Sequence, residues 1–104
     1  MTTATLVQIL LPLSDNESEP HPPALFMQVR QELVAKWGGV TAHLAAPAQG
    51  VWRDEGHLVV DSIVVIEAMV EGFDRRWWYD YRVELEARFR QQEIVVRALA
   101  MERV

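Results

Sequence analysis

The side chains of this chain that could do chemistry are a few histidines, carboxylates and arginines. The three histidines, His21, His43 and His57, include no pair at zinc-ligand spacing, and there is no H-E-x-x-H string and no cysteine to complete a metal site. In an extended segment His57 and Asp61 share a strand face, yet they lie about 13 Å apart at ~3.3 Å per residue, too far for one ion. No bound transition metal is expected; a site built from His43 and Glu67 on different strands is the alternative. His43, Asp61, Glu67 and Arg97 are the candidate catalytic residues. A carboxylate beside an arginine in a partly dry setting is the kind of group whose pKa moves, as acid/base work requires. The competing reading is an ion-pair network buried at an interface, or plain solvated polar groups. Ser14, Ser18 and Ser62 have no G-x-S-x-G setting. No glycine-rich phosphate loop is present, since Gly38-Gly39 follows a helical pattern where a phosphate loop would open one. Without cysteine, thiolate catalysis, disulfides and iron–sulfur clusters are excluded, and no cofactor is expected.

The aromatic run Trp77-Trp78-Tyr79 with Tyr81 could stack on a base or cofactor. Packing is the stronger reading, because Trp78 and Tyr81 begin a helical apolar stripe. Trp52-Arg53 is read in the same way, as a cation–π or loop-anchoring pair.

These residues need a scaffold. With 104 residues the chain suits one domain, 1–104, and with 50% hydrophobic and 24% charged residues it is globular and not disordered. A domain this short buries only about 60–70% of its unfolded surface, so association is a natural way to widen its stability margin. The net charge of −5 and the absence of a basic patch argue against nucleic-acid binding. The apolar run Leu6 to Leu13, broken by Gln8 and Pro12, is too short for a signal peptide or membrane span. The expectation is a cytoplasmic protein with no membrane contact, although a removed export signal would leave no trace in the sequence.

The apolar pattern predicts strands near 5–12, 40–46, 57–70 and 93–102. It predicts helices near 23–37 and 74–91. Phe26, Val29, Leu33 and Trp37 recur at spacings of 3, 4 and 4, one face of a helix, and Trp78, Tyr81, Leu85 and Phe89 do the same. Pro22-Pro23 suits a helix start, Gly38-Gly39 a helix end, and Asp74 an N-cap. Pro47 to Gly50 should turn or bulge the chain before Val51-Trp52-Arg53 resumes it. The order β-α-β-β-α-β fits a ferredoxin-like α+β domain, a four-stranded antiparallel sheet with both helices on one face.

Alternation along the strands then divides the sheet. Val60, Ser62, Val64, Ile66, Ala68 and Val70, with Ile94, Val96, Ala98 and Ala100, belong under the helices. The far face carries Gln8, His43, Asp61, Glu67, Glu93 and Arg97 among Val59, Ile63, Val65, Val95, Leu99 and Met101. A solvated face would not hold so many aliphatics, so this face is expected to cover a second copy as a homodimer, or to bind a partner or small-molecule ligand.

Three strings add a resemblance. Gly39-Val40-Thr41, Gly50-Val51-Trp52-Arg53, and Arg88-Phe89-Arg90-Gln91 leading into Ile94-Val95 resemble a family of uncharacterised small bacterial proteins of unknown function. The resemblance spans roughly residues 37–97. It implies the βαββαβ plan and no reaction. Two functional expectations stand: a non-catalytic homodimeric domain binding through its sheet face, or a small cofactor-free enzyme of the dimeric α/β-barrel kind, monooxygenase- or isomerase-like, using His43, Asp61, Glu67 or Arg97.

Overall fold

The computed structural model describes the backbone of residues 2–54 and 57–104, and the side chains of residues 3–41 and 62–104. The elements follow as β1 (Thr2–Pro12), α1 (Pro23–Trp37), β2 (Thr41–Asp54), β3 (His57–Val70), α2 (Arg75–Arg88) and β4 (Val95–Arg103). The strands lie in the order β2-β3-β1-β4, and each neighbouring pair is antiparallel.

Local chemistry accounts for the helix ends. Pro23 opens α1, where its missing N–H leaves nothing unsatisfied. Gly38 closes it with φ 86°, and its N–H donates to the Val34 carbonyl. Asp74 caps α2 by accepting the Trp77 N–H at 3.2 Å. That helix ends at Arg88, short of the expected 91. Gln91 N–H donates to the Glu86 carbonyl and Arg90 N–H to that of Ala87, a Schellman closure that places Arg90 at φ 53°. A non-glycine residue therefore occupies the left-handed position.

The predicted stripes form the core. Phe26, Val29 and Leu33 of α1 and Trp78, Tyr81, Leu85 of α2, followed by Phe89, are buried against Val7, Ile9 and Leu11 of β1 and Val64, Ile66, Ala68 and Val70 of β3. Both helices therefore sit on one face of the sheet. On β4 only the start is covered: Ile94 just before it is buried and Val96 is half-buried, but Ala98 and Ala100 are exposed. Being at the sheet edge, β4 runs out from under α2. The β2 backbone is one strand, with a register shift between His43 and Ala48 that contains Pro47. Proline has no N–H to give the ladder, so the chain bulges there and resumes pairing.

Candidate functional site

At the centre of the face away from the helices, register sets three successive rows across β4, β1 and β3. The first is Leu99–Leu6–Met69 and the third is Val95–Leu10–Val65, both apolar on these three strands, with His43 of β2 opposite Val65. Between them runs Arg97–Gln8–Glu67. Met69 on β3 is 49% exposed, and Val95 and Leu99 on the edge strand β4 are 46% and 45% exposed. The polar row is hydrogen-bonded along its length. Arg97 Nε donates to Gln8 Oε1 at 2.6 Å, and Gln8 Nε2 donates to Glu67 Oε2 at 2.6 Å. Charge dictates which way the amide faces, because only its oxygen can meet the guanidinium and only its nitrogen the carboxylate.

Two of the four candidate residues, Glu67 and Arg97, therefore meet on one row, linked through Gln8. His43 and Asp61 have backbone positions opposite Val65 and Gly50. Their side chains, with those of Trp52 and Arg53, lie outside the described residues.

One end of this face opens into a groove beside the α1–β2 connection. A cavity of about 460 Å³ is bordered by Leu6, Trp37, Thr41, Glu67, Met69 and Arg103, with the Gly38-Gly39 backbone along one wall. A second hollow of about 250 Å³ adjoins it, sharing Trp37, Met69 and Arg103 and adding Lys36 and Glu71. Together these open hollows bring the Trp37 ring, the Leu6 and Met69 side chains and charges of both signs to the end of the face. Among the described residues no cluster of three metal-ligating side chains occurs. No described helix is long and apolar enough to cross a membrane.

The aromatic run serves the core. Trp78 stacks on Trp37 with centroids 5.8 Å apart and 10° between planes, Trp77 meets both edge-on, and Tyr81 stacks on Trp77. Lys36 Nζ lies 5.4 and 5.3 Å from the Trp37 and Trp77 rings. Tyr79 is the exposed member of the run, with Arg82 over its ring.

Two polar clusters escaped the sequence reading. Between the helices Arg88 donates to both Glu32 oxygens, at 2.7 and 3.1 Å, and to Glu84 at 2.8 Å, while the Tyr81 hydroxyl donates to Glu32 at 2.8 Å. Partial burial pushes the Glu32 carboxyl up, but the bonds from Arg88 and Tyr81 and the Arg88 charge outweigh it and hold the group below its ordinary range. Burial, and donation to that carboxylate, push the Tyr81 phenol well up. The one available signal was opposite charge flanking the two apolar stripes.

The second cluster folds the β1–α1 loop. Asp15 accepts the Glu17 and Glu19 N–H groups and Arg90 Nη2, which together lower its pKa, the backbone bonds most. Nearby, His21 is 6% exposed between the edges of Phe26 and Phe89, with Nε2 lacking any partner among the described residues. Burial lowers its pKa, and the Asp15 carboxylate opposes this.

No family model and no curated protein matches the chain by sequence. Solved structures match by shape. A phage SAM lyase in its apo state is 16% identical, with a TM-score of 0.64, covering 94% of this chain and 81% of that one. A phage SAM lyase in complex with S-methyl-5'-thioadenosine is 14% identical, with a TM-score of 0.61, covering 96% and 90%. The divalent cation tolerance protein Cut A1 from Thermus thermophilus is 12% identical, with a TM-score of 0.65, covering 99% and 87%. At these identities the likeness concerns the fold.

Proposed function

We propose that this chain is a ferredoxin-like domain that pairs with a second copy through the open face of its sheet and takes a small molecule in the groove at that face's end. The observation carrying this reading is the hydrogen-bonded row Arg97–Gln8–Glu67 set between two apolar rows on an uncovered surface. At about 25 cal/mol per Å², covering Met69, Val95 and Leu99 contributes several kcal/mol before association costs. The polar row need not oppose burial where the guanidinium N–H groups that Gln8 leaves over meet acceptors across the interface. The element order and antiparallel pairing support the ferredoxin-like plan, and the resemblance to the uncharacterised bacterial family is in keeping with it. A cytoplasmic setting is part of the same reading, on the absence of cysteine.

The test is sedimentation velocity at micromolar concentration on the wild type and on Leu99→Lys. Leu99 is half exposed, so the lysine leaves the fold intact. A wild-type dimer that dissociates with the lysine is expected. A monomeric wild type, or a dimer indifferent to the change, refutes the reading.

A second reading, a small cofactor-free enzyme, draws on the shape shared with SAM lyases and on the groove with Glu67, Glu71 and Trp37 at its edge. Calorimetric titration with S-methyl-5'-thioadenosine, alongside an assay for consumption of SAM, tests it. Binding and turnover would establish this reading; neither would leave the non-catalytic one.

A further inference from the structure

The open face has a direction as well as an apolar character. Across the strands at one level stand a cation on β4, an amide on β1 and a carboxylate on β3. Adjacent strands are about 4.8 Å apart, so the two charges flank Gln8 at similar distances on opposite sides. The hydrogen bonds run one way along the row, from Arg97 through Gln8 to Glu67.

On the reading that a second copy covers this face, we propose that the row sets its orientation. The two-fold axis runs parallel to the strands and passes over Gln8, so that Arg97 of each copy meets Glu67 of the partner subunit.

Two sheets laid face to face by a two-fold must have the axis in the plane between them. An axis along the strands exchanges the two sides of β1. It lays each row on its own image with the ends reversed, bringing opposite charges together twice. An axis across the strands, over the same row, keeps the ends in place. Arg97 would then lie on the partner's Arg97 and Glu67 on the partner's Glu67, with like charges drawn out of water together. The apolar rows on β4, β1 and β3 accept either axis, since both map aliphatic rows onto aliphatic rows, so among the three described rows it is the polar one that discriminates. Arg97 is equipped for the contact: among the described residues only its Nε is committed, and the guanidinium offers four further N–H donors in a fork that matches a carboxylate. A carboxylate oxygen accepts more than one bond, so Glu67 keeps its Gln8 contact when the guanidinium arrives.

The experiment uses the full chain as wild type, as Arg97→Glu, as Glu67→Arg, and as an equimolar mixture of the two variants. Sedimentation equilibrium reads association, and circular dichroism confirms the fold. Each variant alone should bind itself about tenfold more weakly or worse, having like charges at both contacts. The mixture should recover the wild-type affinity, because the introduced carboxylate meets the introduced guanidinium at one contact and the native pair survives at the other. If a charge reversal prevents folding, Arg97→Gln and Glu67→Gln replace the pair, and each should weaken the dimer several-fold. A mixture no tighter than its components, or unchanged self-association in both variants, overturns the axis while Leu99→Lys still reports on the face. A three-copy assembly overturns the two-fold arrangement. A monomeric wild type removes the parent reading with it.

Discussion

Replacing Glu32 by glutamine removes the charge that Arg88 faces between the two helices. The Arg88 side chain is 13% exposed and that of Glu32 35%, so this pair lies between a surface bridge, worth about 0–1 kcal/mol, and a fully buried one, whose rupture costs about 3–5 kcal/mol. Glutamine keeps an acceptor for the Tyr81 hydroxyl but places an N–H where Arg88 requires a second oxygen. Glu84 still holds one edge of the guanidinium, though at 61% exposure it is the more hydrated partner. A loss of about 2 kcal/mol follows, which for a chain of this size lowers Tm by roughly 8–16 °C. The pH dependence supplies a second readout. Glu32 has a folded pKa below its unfolded value, so its contribution is fully present above the unfolded carboxylate range near 4.3 and is lost as pH falls through the folded pKa. Urea denaturation of wild type and Glu32→Gln at pH 7 and at steps down to pH 3 should show the gap closing with acid. A gap under about 0.5 kcal/mol at pH 7, or one that does not close, would refute the view that this carboxylate ties the helices together.

Arg90→Gly should raise Tm by a few degrees. It relieves the left-handed φ of 53° at the α2 terminus, while the bridge it loses joins an arginine 70% exposed to an Asp15 side chain, 9% exposed, that the Glu17 and Glu19 N–H groups continue to hold. A lower Tm in thermal melts would show that the Asp15 contact outweighs the strain. His21→Phe should flatten the stability profile below pH 6.5. The buried imidazole, its pKa lowered, resists protonation in the folded state, so wild-type stability falls as pH drops below the unfolded histidine value towards the folded one. Denaturation curves at pH 7.5 and 5.0 that lose the same amount in both proteins would count against this.

The elements and the buried sides of both helices and of β3 from Val64 onward are legible in the order of residues alone, whereas Ser62, Ala98 and Ala100, expected under the helices, are exposed. Phe26, Val29 and Leu33, and Trp78, Tyr81, Leu85 and Phe89, lie where a 3.6-residue period puts them, and Val64 to Val70 alternate as a strand must. Such patterns are local: each follows from backbone geometry repeated over a few residues, and the need to bury one side is enough to orient it. The polar partnerships belong to the tertiary structure. Gln8 joins Glu67 and Arg97 across 59 and 89 residues, and Glu32 meets Arg88 across 56. Sequence reading put Gln8, Glu67 and Arg97 on one face but could not say that they share a row, because a two-residue slip of register keeps the face and changes every neighbour. The same holds for β2, where only the pairing with β3 shows Pro47 absorbed in a bulge within a continuing strand. Burying apolar surface is non-directional and so legible from periodicity, whereas a hydrogen bond requires two particular atoms within about 3 Å, which only the assembled sheet and helices decide.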